Sequence, residues 1–308
     1  MLPIKIDLPE NFLAEEVRCG YTVSTEFKKL WAVELDLLAE FDRVCKKHNL
    51  TYFASGGTLL GAVRHQGFIP WDDDIDVHLP RKDYDKLLKI ASDEFHYPYF
   101  FQNMSTDCGL VSGCSRLRNS DTTICSESEW KKSFKNKGIF IDICVLDNVP
   151  DSEFVLSLTK LVLKAYWRML RFASYYDLYF EPGKRYPIGK KLKGHCALML
   201  KRIIGLQALY RGYEKICAQY SGRETKRIAP IETLRGQLIF PKECVKSTTY
   251  VSFEHIQIPI PDGYDEMLTI QYGDYMTMKK VPALHHALTF DAEIPYKEYE
   301  KNHLNGGV

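Results

Sequence analysis

Long apolar runs are missing from this chain. No stretch of about 18 or more apolar residues goes uninterrupted by charge, and the opening MLPIKIDLPENF lacks the basic-then-apolar layout of a secretory leader, so the expected location is the cytoplasm. The nine cysteines include no CxxC pair and form no dense, even framework. That excludes a disulfide-stapled secreted scaffold and fits reduced thiols. Cys108, Cys114 and Cys125 could meet at a zinc, although their loose spacing equally fits small buried residues. Net charge is nearly absent, at +1, so the whole molecule has no electrostatic pull on a polyanion and nucleic acid is not an expected partner. The balance is nevertheless uneven. Residues 151–229 carry 16 Lys+Arg against 6 Asp+Glu, and the remainder carries 25 against 34. There is no internal repeat and no low-complexity segment.

What is present is enough apolar material, 45% of 308 residues, for a sizeable core. Phe27, Leu30, Trp31, Leu37, Leu38, Phe41, Val44 and Cys45 recur at three- and four-residue spacing, which predicts an amphipathic helix over 25–48, capped by Ser24 or Thr25 and ended by Asn49. A short strand over 50–54 runs into Ser55-Gly56-Gly57, and TLLGAVRH has the composition of a short helix. Asp74 to Leu79 alternates as a strand, and Pro80 stands where the next helix would begin. Further strands are expected over 99–102, 116–125 and 139–146. Residues 152–220 read as mainly helical, and the part from Pro230 as short strands and loops. The expected class is α+β: a mixed sheet flanked by helices, with residues 1–150 as catalytic core, 151–229 as a basic helical insertion on the acceptor or membrane side, and 230–308 completing the catalytic domain.

The chemistry is expected at DDDID. Aspartate suits a strand poorly, and such conflicts with local propensity point to function. On a strand, Asp72, Asp74 and Asp76 share one face at steps of about 7 Å, and Asp73 points away. Their repulsion is relieved by raised pKa values or by a hard divalent cation, magnesium or manganese. A solvated acidic turn would look similar if the DxD stood alone. Here, however, Gly56-Gly57-Thr58 precedes it at a strand-to-helix turn, where glycine admits a phosphate to the backbone N–H groups of a helix start. Asp142, in the apolar run GIFIDICVLD, offers a carboxylate from a second strand; a structural acceptor is the other reading, and Asp147 is expected in a turn. Arg64, Arg116 and Arg118 are candidate phosphate contacts, though each could be an ordinary surface charge.

The run SGGTLLGAVRHQGFIPWDDDIDVHLPRKDYDKL, followed by GIFIDICVLDNVP and YDEMLTIQYGDYM, resembles the LicD family, which includes the fukutin-related proteins. The resemblance is strong over 25–150, weaker over 255–290 and slight between. It implies a nucleotidyltransferase-like fold and transfer of a substituted phosphate, phosphocholine or a polyol phosphate, from a CDP-linked donor such as CDP-choline to a hydroxyl of a cell-surface glycan, possible settings being lipopolysaccharide, teichoic acid or capsule. By position it implies metal ligation by Asp72, Asp74, Asp76 and Asp142, catalytic roles for Asp74, Asp76 and Asp142, and a phosphate turn at Gly56, Gly57 and Thr58. Met278 to Pro282 departs from the family's tail pattern and leaves the roles of His285 and His286 open. Asp142 is the candidate base, and Trp71 and Tyr272 are candidate aromatic faces for a choline head. Three other readings stand beside this one: a DxD glycosyltransferase using a nucleotide-sugar, transfer of the nucleotide itself, and a silent scaffold docked on lipid through the basic helices.

Overall fold

The computed structural model describes residues 1–107, 110, 112–126, 136–176, 180, 184–230, 238–279 and 288–304. A short hairpin, β1 (Glu16–Arg18) and β2 (Tyr21–Val23), leads into helix α1 (Thr25–Lys47). The Ser24 hydroxyl accepts the Phe27 N–H at 3.3 Å, Lys46 and Lys47 close the last turn, and Asn49 takes a left-handed φ of 51° where the chain leaves. Leu30 through Leu38 are buried without interruption, so α1 lies inside the protein and not along its surface. That places two acids, Glu34 and Asp36, in the interior. Asp36 is satisfied by the N–H groups of Lys5 and Ile6 and by the Tyr99 hydroxyl.

A seven-stranded mixed sheet holds the core together. It comprises β3 (Phe53–Ala54), β4 (Asp76–Pro80), β5 (Tyr99–Gln102), β6 (Ser115–Asn119), β8 (Phe140–Val149), β9 (Arg227–Pro230) and β10 (Phe240–Pro241). β8 is its axis. One edge runs parallel to β4, while the other pairs antiparallel with β6 over its first half and with β9 over its second. Helix α2 (Gly56–His65) connects β3 to β4, and α3 (Arg81–Glu94) follows β4 directly. This is the expected α+β class, with the expected order of strand, glycine turn, helix and strand.

The expected strand over 116–125 is two strands. Asn119 accepts the Asp121 N–H on its side chain at 3.0 Å and the Thr122 hydroxyl on its carbonyl at 2.8 Å. This Asx-type turn ends β6 and sends β7 (Thr123–Ser126) to pair with β13 (Leu288–Asp291). Asp147, expected in a turn, lies buried within β8 and accepts from Arg81 Nε and Nη2, both at 2.7 Å. Pro80 ends β4 as the cap of α3, not its first residue. The expectation of reduced thiols throughout is also corrected. Cys114 and Cys144 form a disulfide across β6 and β8, with Cα atoms 4.5 Å apart. Their separation of 30 residues left no spacing signal. Because Cys114 is bonded and Cys125 is buried, the zinc reading loses a ligand; Cys108 lies outside the described residues.

The middle of the chain forms α4 (Glu153–Ala173), α5 (Ile188–Ile203) and α6 (Leu206–Cys217). Leu156, Leu163, Leu170, Leu209 and Tyr213 make a small core that reaches the sheet through Val149 and Ala229. Among the described residues, no helix is long and apolar enough to cross a membrane. The chain continues through the hairpin β11 (Thr248–Phe253) and β12 (Ile256–Pro261), helix α7 (Tyr264–Tyr272), β13 and α8 (Tyr296–Leu304).

Candidate active site

The acidic motif is shaped by the loop before β4. Asp76 is the first residue of that strand, so Asp72, Asp73 and Asp74 lie outside it, and the strict alternation expected from a strand does not govern them. The consequence concerns Asp73. Asp72, Asp73 and Asp74 each present a carboxylate oxygen, and the three atoms lie within 4.8 Å of one another. Asp73, expected to point away, belongs to the cluster.

Neighbouring elements impose this loop. Glu254, at the tip of the β11–β12 hairpin, accepts the Phe68 N–H at 3.0 Å and pairs with Arg18. The Asp72 N–H turns back onto the Ile69 carbonyl at 2.9 Å. Trp31 of α1 stacks on Phe68, with ring centres 4.5 Å apart, and its indole N–H donates to the Asp72 carbonyl at 3.0 Å. The Asp76 N–H then donates to the Thr58 hydroxyl at 2.8 Å, and the Ser55 N–H to the Asp76 carbonyl at 3.0 Å. Thr58, expected in the phosphate turn, is buried and positions the acidic strand.

These bonds bring the motif onto the start of α2. A Cβ on Gly57 would collide with the Asp72 carboxylate, and one on Gly56 would stand 3.1 Å from Asp76 Oδ2; Gly56 also has a φ of +54°. Two carboxylates therefore stand over the first turn of a helix, where backbone N–H groups are not used by the helix itself and the macrodipole is positive. Asp142 is in register with Asp76 on the neighbouring parallel strand, and Arg116 with Asp142 on the strand beyond. Residues in register share a face of the sheet, so Asp76, Asp142 and Arg116 form one row. Arg116 Nε donates to Asp142 Oδ1 at 2.9 Å, and its guanidinium lies 3.9 Å from the Phe140 ring centre.

The other expected residues separate. Arg118 is buried and donates to Gln102 and to the Gly138 carbonyl, both at 2.5 Å, which corrects its expected phosphate contact to an internal brace. Arg64 donates to the Tyr275 carbonyl at 2.6 Å, tying α2 to the segment after α7. Trp71 meets Tyr21 edge-on, whereas Tyr272 brings its hydroxyl to 4.0 Å from the position of a Gly56 Cβ. Burial raises the Tyr272 phenol's pKa, and the charges of Asp72, Asp76 and Asp74 raise it further. His285 and His286 lie outside the described residues. A cavity of about 510 Å³ opens between α2 and the β11–β12 hairpin, past Val63, Gln66, Val251 and Tyr264; none of the candidate residues lines it.

Glu34 is a member of this site that the motif reading missed. It is buried on α1, one turn from Trp31, and its Oε2 has no hydrogen-bond partner among the described atoms. Burial pushes its pKa well above the ordinary range, and Asp74, Asp73, Asp72 and Asp76 push it further. A signal did exist: Glu34 interrupts the apolar stripe of Phe27, Trp31, Leu38 and Phe41, three residues after Trp31 and four before Leu38.

Residues 49–151 match the family described as LicD/FKTN/FKRP, nucleotidyltransferase domain. The match covers about a third of the chain, which is similar to the LicD family over that segment. The chain is 28% identical over 249 residues, 79% of this chain and 89% of the relative, to the lipopolysaccharide cholinephosphotransferase LicD of Haemophilus influenzae. It is also 33% identical over 118 residues, 38% of this chain and 40% of the relative, to an uncharacterized protein of Rickettsia prowazekii. The LicD domain contains the glycine turn, the aspartates and Arg116, while Glu34 and Tyr272 come from outside it.

Proposed function

We propose that this chain is a LicD-type enzyme that transfers a substituted phosphate, phosphocholine before a polyol phosphate, from a CDP-linked donor to a hydroxyl of a cell-surface glycan, with release of CMP. The observation that carries the reading is the stacking of the Asp72 and Asp76 carboxylates over Gly56 and Gly57 at the start of α2, with Asp142 beside Asp76. The named activity of the Haemophilus relative, cholinephosphotransfer to lipopolysaccharide, supports the choice of head group and acceptor class.

The clustered carboxylates of Asp72, Asp73 and Asp74 fit a hard divalent cation, magnesium or manganese, with Asp76 and Asp142 as further oxygen donors. Bound there, such an ion supplies charge neutralisation on the donor diphosphate. The first N–H groups of α2 bind phosphate oxygens, which Gly56 and Gly57 allow to approach. The acceptor oxygen attacks the distal phosphorus, the bond from that phosphorus to the bridging oxygen breaks, and its electron pair leaves with CMP. Asp142 takes the hydroxyl proton, with its carboxylate held in orientation by Arg116. Tyr272 offers a ring at the edge of the acidic site for a cationic head group.

A thermal-shift screen of CDP-choline, CDP-ribitol, CDP-glycerol and UDP-sugars with magnesium, followed by CMP release on the stabilising donor, tests this. Stabilisation by CDP-choline with acceptor-dependent CMP release is expected. A response to a UDP-sugar alone, or labelled CMP appearing on the acceptor, would replace the reading with sugar transfer or nucleotide transfer.

A further inference from the structure

Helices α4 and α5 each leave an apolar stripe that no described residue covers. On α4, Leu156, Leu163 and Leu170 are packed inward, while Phe154, Leu158, Leu161, Ala165 and Met169 lie on the opposite side, with Phe154 80% exposed. On α5, Gly194 and Ala197 are buried, while Ile188, Leu192, Met199 and Ile203 face outward, Ile188 at 86% and Ile203 at 75%. The α5 stripe repeats the α4 spacing except that exposed His195 stands where α4 has Leu161, and at about 100° per residue each falls within an arc of roughly 80°.

Charge follows the stripes. Lys164, Arg168 and Arg171 run along one border of the α4 stripe, and Lys191 and Arg202 along the same border of the α5 stripe; all five are exposed. α5 contains no acidic residue, and the single acid of α4, Glu153, is paired with Arg227. An apolar face bordered by cations, on helices too short in apolar length to span a bilayer, is the composition of a helix that lies in a membrane interface. A second copy of this chain would set Lys and Arg against Lys and Arg. An anionic lipid surface supplies both the apolar depth and the opposite charge.

We infer that α4 and α5 form a docking face for an anionic membrane surface, with Leu161, Leu192 and Ile203 entering the acyl boundary and Lys164, Arg168 and Lys191 meeting lipid phosphates. This inference is independent of the reaction assigned to the acidic site.

Co-sedimentation of the full chain with vesicles of phosphatidylcholine alone, and of phosphatidylcholine mixed with phosphatidylglycerol, tests it. The chain should sediment with the anionic vesicles and far less with the neutral ones. The triple variant Leu161→Gln, Leu192→Gln, Ile203→Gln and the triple variant Lys164→Glu, Arg168→Glu, Lys191→Glu should each bind at least about tenfold more weakly, with unchanged circular dichroism. In a separate chain, Leu192→Trp should shift its emission to the blue on adding anionic vesicles. Failure of the wild type to bind anionic vesicles at low salt would overturn the inference, as would full binding by the apolar variant or no emission shift. Dimerisation in sedimentation velocity that the apolar variant abolishes would assign the face to a second copy instead.

Discussion

The residues of the acidic site differ in what their removal should do, and this separates chemistry from folding. Asp74 is partly exposed, outside β4, and shares the carboxylate cluster with Asp72 and Asp73. Asp74→Ala should therefore lower turnover by about two to three orders of magnitude, the range for losing one charge-stabilising group, with an unchanged melting temperature in the absence of donor. Near-normal CMP release would remove the cluster from the mechanism. Glu34 predicts the reverse pattern. Its folded-state pKa is raised above the unfolded value of 4.5, so burial of this group weakens the fold progressively as pH rises from there toward the folded pKa. Glu34→Gln removes a charge that the interior and the neighbouring aspartates oppose. In melts without added metal the variant should be the more stable protein at neutral pH, and the difference should vanish near about pH 4, below both pKa values. Equal melting temperatures across that range would show that Glu34 lies in a more polar setting than the structure describes.

At the scale of elements, the site is the meeting of a helix start and a loop, and Gly57 is where they touch. A Cβ there collides with the far end of a flexible side chain, the Asp72 carboxylate, and not with backbone. Gly57→Ala should thus move Asp72 while leaving α2 formed, lowering kcat by about tenfold or more with less than about 1 kcal/mol lost in urea unfolding. Loss of several kcal/mol without a change in kcat would mean that Gly57 serves packing instead. Much of this level was legible in the sequence. The span and Ser24 cap of α1, the limits of β5, and the order of β3, α2 and β4 follow from periodicity, capping and glycine placement, which are local signals. The conformation of Asp72 to Asp74 was not legible, because it is set by Trp31 from 41 residues away and by the Glu254 hairpin tip acting on Phe68 from 186. The disulfide was hidden for the same reason: its cysteines become neighbours only through β6–β8 pairing. Arg118 and Arg116 look alike in SRLRNSDTT and share one face of β6, yet their partners differ: Arg116 meets Asp142 of β8, whereas Arg118 turns to Gln102 of β5 and the Gly138 carbonyl, contacts set by strand pairing and not by local sequence.

Across the whole molecule, the parallel pair β4–β8 separates two kinds of charge. At its beginning stand Asp76 and Asp142; at its end, about 15 Å further along the strands, stands Arg81, the first residue of α3. Arg81 donates from Nε and Nη2 to buried Asp147 at 2.7 Å and from Nη1 to Glu214 of α6 at 2.8 Å, so a single guanidinium ties the sheet to the helical middle of the chain. Arg81→Met would leave Asp147 buried without its cation, a loss of about 3–5 kcal/mol in urea unfolding. Adding Asp147→Asn should recover much of that loss, because the remaining penalty is an uncompensated charge and not a lost shape. The acidic site lies at the opposite end of the strands, so CMP release per folded molecule, measured well below the melting temperature, should be unchanged in both variants. A fall in kcat without a fall in stability would instead make the Arg81 linkage part of how the helical middle positions the acceptor.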